Sequence, residues 1–163
     1  MSGMPKGKRL DEARVLHLGC GNSRLGEELY DDGVTQITNL DYSSEVIADL
    51  AERHEWERPE MSWVAMDAAD LDSEEVSGMK AESFDVLVDK AMLDAISCLP
   101  DGGLATMERV AKGGARVLKT GGTWIILSFN APGVFLPALQ SAPGISWRTS
   151  TLGRLHLYTG TKF

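Results

Sequence analysis

The chain has 163 residues, which is long enough for one domain with a sizeable buried core. Its composition, 43% hydrophobic and 25% charged, is typical of a globular protein, and no apolar run approaches the ~20 residues that a membrane span needs. A net charge of −8 argues against non-specific binding to nucleic acid and would suit a basic partner, such as a lysine-bearing protein, with a surface that only maintains solubility as the alternative.

Strands and helices alternate along the chain. Apolar and β-branched stretches predict seven strands, at Arg14–Leu18, Gln36–Asp41, Met61–Met66, Phe84–Asp89, Thr123–Phe129, Ile145–Thr151 and Leu155–Thr161. Helical periodicity and capping residues predict helices at Arg24–Asp32, Glu45–His54 and Gly103–Val117, a short turn at Met92–Ser97 and another turn at Lys119–Gly122. This alternation indicates an α/β fold whose parallel sheet is covered on both faces.

At the end of the chain, two predicted strands follow each other without a helix between them. Only Leu152, Gly153 and Arg154 separate the last two strands, and a loop that short cannot make a parallel crossover, so these strands pair antiparallel. We therefore expect one domain over residues 1–163, with residues 1–13 as a short N-terminal extension. The polar, basic start is unlike a secretory signal, and Cys20 and Cys98 have no disulfide or metal-ligand spacing. A cytoplasmic protein without a metal site is expected.

The first strand runs into Gly19-Cys20-Gly21-Asn22-Ser23, a tight turn into a helix that leaves bare backbone facing a ligand. A dinucleotide fingerprint would need a third glycine at position 24, where this chain has Arg24. That glycine allows close helix–strand packing near a pyrophosphate. Its absence argues against NAD or FAD and favours S-adenosylmethionine, which has no pyrophosphate.

Acidic residues stand at the ends of the second, third and fourth strands. Asp41 lies 22 residues after Gly19, Asp67 lies 26 residues after Asp41, and Asp89 lies 22 residues after Asp67. Each interval is about one strand–helix unit, so the three carboxylates should line one edge of the sheet, where ligands of open α/β sheets bind. One such residue alone could be a turn or capping residue. Three of them behind a glycine turn predict a binding site in which Asp41 accepts the ribose hydroxyls.

Four segments, Leu18–Ser23, Asp41–Ser44, Ser83–Ala95 and Val117–Gly122, resemble the class I S-adenosylmethionine-dependent methyltransferases. More narrowly, they resemble the methyltransferase-like group that includes elongation-factor-1-alpha lysine methyltransferases. The resemblance covers about residues 14–162. It implies a Rossmann-like, seven-stranded sheet with an antiparallel last strand. That group has a lid segment upstream of the first strand, and because only residues 1–13 precede the strand here, we expect part of that lid to be absent.

The resemblance also implies which residues bind the cofactor. The methionine part would contact Gly19, Gly21, Asn22 and Ser23. The ribose and adenine would contact Asp41, Tyr42, Asp67 and Ala68. The methionine end or the incoming amine would be oriented by Asp89, with Lys90 and Leu93 nearby.

The predicted activity is methyl transfer from S-adenosylmethionine to a lysine of a protein, with S-adenosylhomocysteine as the product. A carboxylate near the lysine raises the pKa of its amine, so the predicted catalytic residue, Asp89, is expected to orient or bind rather than to act as a committed base. Met92, Phe129 and Trp147 could line an apolar channel, with core packing as the alternative. A catalytically silent binding domain and a small-molecule methyltransferase stay open. Neither nucleic acid nor a membrane is an expected partner.

Overall fold

The computed structural model describes residues 9–163, so most of the predicted extension, residues 1–8, lies outside the described part of the chain. The strands are β1 (Val15–Leu18), β2 (Ile37–Asp41), β3 (Ser62–Ala65), β4 (Phe84–Lys90), β5 (Leu118–Ser128), β6 (Ile145–Leu152) and β7 (Leu155–Lys162). The helices are α1 (Leu25–Asp31), α2 (Ser44–His54), α3 (Glu74–Ser77), α4 (Met92–Ser97), α5 (Leu104–Val117) and α6 (Pro132–Leu139). Short 3₁₀ turns cover Leu10–Glu12 and Ala68–Asp72.

The seven strands form one mixed sheet in the order β3-β2-β1-β4-β5-β7-β6. Neighbours among β1 to β5 pair parallel, whereas β7 lies between β5 and β6 and runs antiparallel to both. This confirms the predicted α/β, Rossmann-like sheet with an antiparallel last strand. The carboxyl ends of β1 to β4 meet at one edge, which is where the predicted acidic residues stand.

The sheet separates two apolar cores. The larger core packs under α5 and α6 and includes Trp124 and Tyr158, both fully buried. The Trp124 ring lies directly on Gly114 of α5, where no Cβ atom would fit. The smaller core lies on the opposite face, around Val15 and Ile37. Helices therefore cover both faces of the central strands, as the near-continuous apolar strand sequences predict.

The turn predicted at Lys119–Gly122 is wrong as a separate element, because these residues lie within β5. The pairing of β5 with β4 is irregular there: Phe84 pairs with Leu118, and the next pair is Val86 with Thr123. Gly121 in this bulge has a φ of +81°, which a glycine adopts at little cost. The glycines thus mark a distortion of the strand and not its start.

Helix α6 has no counterpart among the predicted elements. It begins at Pro132 and contains a second proline, Pro137, so its sequence signal resembles that of a loop. Its stability comes from tertiary packing, since Phe135 is fully buried and its ring centroid lies 5.9 Å from that of Tyr158. The segment predicted as a short turn at Met92–Ser97 is the helix α4.

Candidate functional site

The turn between β1 and α1 has the backbone geometry that its glycines allow. Gly19 and Gly21 have φ angles of +57° and +47°, in the left-handed region that glycine adopts readily. The turn is held to the next strand by the Cys20 N–H, which donates to the Leu40 carbonyl at 2.9 Å. A Cβ atom at Gly19 would lie 2.5 Å from Cγ of Met92, so this glycine is also required by the close approach of α4.

Asp41, at the end of β2, ties the glycine turn to the start of α2. One carboxylate oxygen, Oδ2, accepts the Gly21 N–H at 2.8 Å, and the other, Oδ1, accepts the Ser43 N–H at 3.0 Å. The carboxylate is buried at 6% exposure. Each oxygen accepts one backbone hydrogen bond and has a further lone pair, so both can still accept a hydroxyl group.

A cavity of about 300 Å³ opens beside this turn. Four of the predicted site residues line it, namely Gly19, Tyr42, Asp67 and Ala68. Its other walls are mainly apolar and come from Leu40, Met92, Ala95, Ile96, Leu99 and Thr106. The combination of bare backbone, apolar walls and a few polar groups is typical of a small-molecule site.

Within this cavity, Asp67 and Ala68 lie where β3 passes into its 3₁₀ turn. Asp67 Oδ1 accepts the Ala69 N–H at 2.9 Å, which caps the turn, while the side chain stays exposed. Ala68 is buried. The ring of Tyr42 is 84% exposed on the cavity rim, so it is free to lie against a bound ring system.

The remaining predicted residues lie outside the cavity wall. Asn22 is exposed, and Ser23 Oγ accepts the Leu25 N–H at 3.3 Å at the start of α1. Lys90 is exposed at the end of β4. Leu93 is fully buried in the larger core, so its side chain does not reach the cavity.

Asp89 is buried completely below α4. Its two oxygens accept the Met92 N–H at 2.7 Å and the Leu93 N–H at 3.2 Å, so the carboxylate caps this helix. Burial raises the pKa of Asp89 to about 7, and the two backbone hydrogen bonds oppose that rise. Because the carboxylate has no exposed surface, this geometry favours a positioning role over direct contact with an acceptor.

A second acidic residue of the same segment, Asp94, was not among the predicted site residues. Its Oδ1 accepts hydrogen bonds from Ser128 Oγ at 2.9 Å, the Phe129 N–H at 3.0 Å and Asn130 Nδ2 at 3.0 Å. The Asn130 carbonyl in turn accepts the Tyr158 hydroxyl at 2.8 Å. Asp94 therefore fixes the loop after β5 against α4. Its place in Ser83–Ala95, one of the four segments that carry the family resemblance, was the available signal.

Close packing of α1 on the sheet is retained, although Arg24 replaces the third glycine. Gly26 is buried, and a Cβ atom there would lie 2.5 Å from Oδ1 of Asn39 and 3.2 Å from the Met61 methyl group. Gly26 supplies the approach two residues later.

The three candidate channel residues lie in different environments. Met92 is half-buried and lines the cavity, Phe129 is 70% exposed at the end of β5, and Trp147 packs on Trp124 with ring centroids 5.6 Å apart. Core packing is thus confirmed for Trp147, and it is wrong for Phe129.

Among residues 9–163, no three His, Cys, Asp or Glu side chains are grouped to hold a metal ion. Over that same range, none of the helices has the length and apolar character to cross a membrane.

Comparison with known proteins agrees with this geometry. The sequence model described as a methyltransferase domain matches residues 10–144. The eEF1A lysine and N-terminal methyltransferase of Bos taurus is 36% identical over 146 residues, which cover 88% of this chain and 19% of that protein. The EEF1A lysine methyltransferase 4 of Bos taurus is 35% identical over 126 residues, which cover 73% of this chain and 47% of that protein. This chain thus spans less than half the length of either relative.

A solved structure, the TehB-like SAM-dependent methyltransferase of Corynebacterium glutamicum, has the same fold. The TM-score is 0.66 at 22% identity, with 93% of this chain and 80% of that chain covered. The glycine turn, the buried Asp41 beneath it and the family match over most of the sequence agree with one another. This chain belongs to the methyltransferase-domain family.

Proposed function

We propose that this chain binds S-adenosylmethionine and transfers its methyl group to a lysine side chain of a protein. The observation that carries the proposal is the placement of Asp41, which is buried between the Gly21 and Ser43 N–H groups while its chain neighbours Leu40 and Tyr42 line the cavity. A carboxylate held in this way is oriented before any ligand arrives. The cofactor would supply an already activated methyl group, so the protein needs no covalent nucleophile.

The residues present fit such a cofactor. Gly19 and Gly21 would leave bare backbone for its methionine part, and Asp41 would accept the ribose hydroxyls with its remaining lone pairs. Tyr42 and the Asp67–Ala68 turn would hold the adenine in the cavity of about 300 Å³. These assignments follow the resemblance of the sequence and are supported by the cavity lining.

A lysine acceptor must be neutral to react, and its usual pKa is ~10.4. An apolar approach lowers that pKa, because burial disfavours the charged amine. Met92 lines the cavity, and the exposed Phe129 follows β5, where its N–H donates to Asp94 of α4, next to the cavity-lining Ala95. We propose that Asp89 acts indirectly, by capping α4 and so holding Met92 against Gly19.

The choice of a protein lysine as acceptor rests on the relatives. Both Bos taurus proteins are named as lysine methyltransferases of elongation factor 1A. The acidic balance of −8 suits a basic acceptor segment. A cytoplasmic location and the absence of nucleic-acid or membrane partners stay predictions from the sequence.

Two measurements test this function. Calorimetry with S-adenosylmethionine should show binding to the parent protein, strong weakening in Asp41→Ala and no change in Asp49→Ala, a control on the exposed face of α2. Incubation with methyl-labelled cofactor and a cell extract, resolved by size, should put label on a protein band that is lost after Asp41→Ala. Undetectable cofactor binding would identify a silent binding domain, and label confined to small molecules would identify a different acceptor class.

A further inference from the structure

One face of the β5–β7–β6 end of the sheet is only partly covered by residues 9–163. On this face, Leu127 pairs with Leu157, and Leu155 pairs with Leu152. Leu127, Leu155 and Leu157 are half-buried and belong to neither core, and Leu152 is 62% exposed. Together with Arg148, which is exposed on β6 four residues before Leu152, these residues form what we call the open face.

A groove of about 660 Å³ runs along the open face. Its walls include Arg148 and Ser150 of β6 and Leu157 and Thr159 of β7. The other face of the same strands carries Trp124 and Tyr158, which α5 and α6 bury completely. The contrast between the two faces indicates a surface suited to a further binding element.

The charges of the chain are divided sharply between its two parts. Residues 1–117 contain all 24 acidic residues and 12 of the 16 basic ones, a balance of −12. Residues 118–163, which include β5, β6 and β7, contain four basic residues and no acidic residue, a balance of +4. The two balances sum to the net charge of −8.

Two of these four basic residues are already bonded within the molecule. Lys119 Nζ lies 3.0 Å from Asp85 Oδ1, and Lys162 Nζ lies 3.3 Å from Glu82 Oε1. Arg148 and Arg154 are exposed, and neither forms an ion pair with a carboxylate in the described range of 9–163. The open face therefore combines a leucine strip with the unpaired Arg148, and the unpaired Arg154 lies beside it in the turn between β6 and β7.

This combination selects between possible occupants. A second copy bound through the same face would bring like charges together around Arg148, which disfavours association. A nucleic acid would need many phosphate contacts, and the two unpaired arginines are adjacent to a leucine strip in a protein of net charge −8. An acidic amphipathic segment of a protein satisfies both features, because its apolar side covers the leucines and its carboxylates meet the arginines.

We propose that the open face binds an acidic, leucine-bearing segment of the protein substrate. The open face reaches the site edge, since Leu127 is two residues before Phe129, and Leu155 is where β7 begins at that edge. A segment bound there would hold its protein beside the entrance to the cavity. This inference rests on the proposed function for its occupant, while the binding itself can be measured separately.

The direct test uses a fluorescent amphipathic peptide of leucine and glutamate, with a peptide of the same pattern in leucine and lysine as its control. The Leu/Glu peptide should bind, more weakly as salt is raised. Arg148→Glu and Leu152→Ser should each weaken binding at least about fivefold. Two matched changes elsewhere, Lys112→Glu on α5 and Val76→Ser on α3, should leave it unchanged.

Several outcomes would overturn the proposal. These are no binding of the Leu/Glu peptide, equal binding of the Leu/Lys peptide, or equal losses in the two control variants. Self-association of the parent protein that Arg148→Glu abolishes would assign the face to a second copy instead. Thermal unfolding of each variant checks that it is folded. If Arg148→Glu is unstable, Leu152→Ser, at the end of β6 in the hairpin, serves as the second variant.

A second assay links the face to methyl transfer. Arg148→Glu should raise the extract concentration needed for half-maximal labelling, while calorimetry shows the same cofactor affinity as the parent. Unchanged labelling would show that the face does not serve the acceptor, which overturns the proposal although the methyltransferase function stands. If the parent protein labels no protein at all, the proposed function fails, and the proposed role of the open face in binding the substrate fails with it. The peptide assay still decides whether the open face binds an acidic segment.

Discussion

Replacing Asp41 by asparagine separates the two tasks proposed for this carboxylate. In the structure, its oxygens accept one N–H from Gly21 and one from Ser43. An asparagine keeps a single acceptor oxygen, so one of these N–H groups faces an NH₂ group instead. A buried donor left without its acceptor costs about 1–3 kcal/mol, and the variant should unfold more easily by that amount.

The effect on the cofactor is a separate quantity. Hydrogen bonds to a charged carboxylate contribute about 1.5–3 kcal/mol. If Asp41 accepts the ribose hydroxyls, Asp41→Asn should raise the Kd of S-adenosylhomocysteine roughly 10- to 150-fold. The exposed Asp49→Asn change on α2 is the matched control, and its Kd should equal that of the parent.

The assay is calorimetry with S-adenosylhomocysteine and with an analogue that lacks the ribose hydroxyls. The parent protein should bind the analogue far more weakly than S-adenosylhomocysteine, whereas the Asp41→Asn variant should bind both ligands with similar affinity. Comparing the two proteins with the two ligands forms a double-mutant-type cycle. Any loss of affinity caused by the loosened turn cancels in this cycle, because it affects both ligands equally. If Asp41→Asn discriminates against the analogue as strongly as the parent does, Asp41 only stabilises the turn and the ribose assignment is refuted.

Three further changes follow from the same region. Burial raises the folded-state pKa of Asp89 to about 7, above an unfolded value of ~3.9, so stability should fall by up to about 4 kcal/mol as pH rises from 4 through 7. Denaturant titrations should show a shallower fall in Asp89→Asn, and an equally steep one would contradict this. Gly19→Ala should abolish cofactor binding, because the added Cβ meets Met92 and the φ of +57° is strained for alanine. Met92→Gly in the same protein removes the Met92 Cβ, Cγ and Sδ atoms that lie 2.5 to 3.0 Å from the added Cβ, so it should restore part of the stability, and no restoration would argue against the clash. Ala91 has a φ of +70°, so Ala91→Gly should raise the free energy of unfolding by up to about 1 kcal/mol, whereas Ala95→Gly inside α4 should lower it by a similar amount.

Much of the fold could be predicted because its signals are local. The strands β1 and β4 are mostly apolar runs with clear ends, and the short connection at Gly153 permits only an antiparallel pair. A serine caps the second helix, as the pair Ser43-Ser44 before it indicates, and the structure shows that Ser43 does so, with its Oγ accepting the Val46 N–H at 3.3 Å. Helix α6 could not be predicted, because its prolines resemble a loop and its stability depends on Phe135 packing against Tyr158.

The candidate site was predicted in part. Spacing placed Gly19, Asp41 and Asp67 at one edge of the sheet, since parallel strands of a doubly covered sheet end together. Spacing says nothing about depth, so it could not show that Asp89 caps α4 with no exposed surface. It also could not identify Asp94, whose partners Ser128 and Asn130 come from more than 30 residues later in the chain.

The sequence by itself determined the alternation of strands and helices, the glycine turn and the order of acidic residues along one edge of the sheet. These depend on residues near one another in the chain, where backbone preference and hydrophobic period act directly. Only the tertiary structure decided which carboxylates face the cavity, which glycine permits close packing and which leucines stay uncovered. Burial and hydrogen bonding between distant residues set those properties, and no local pattern contains them.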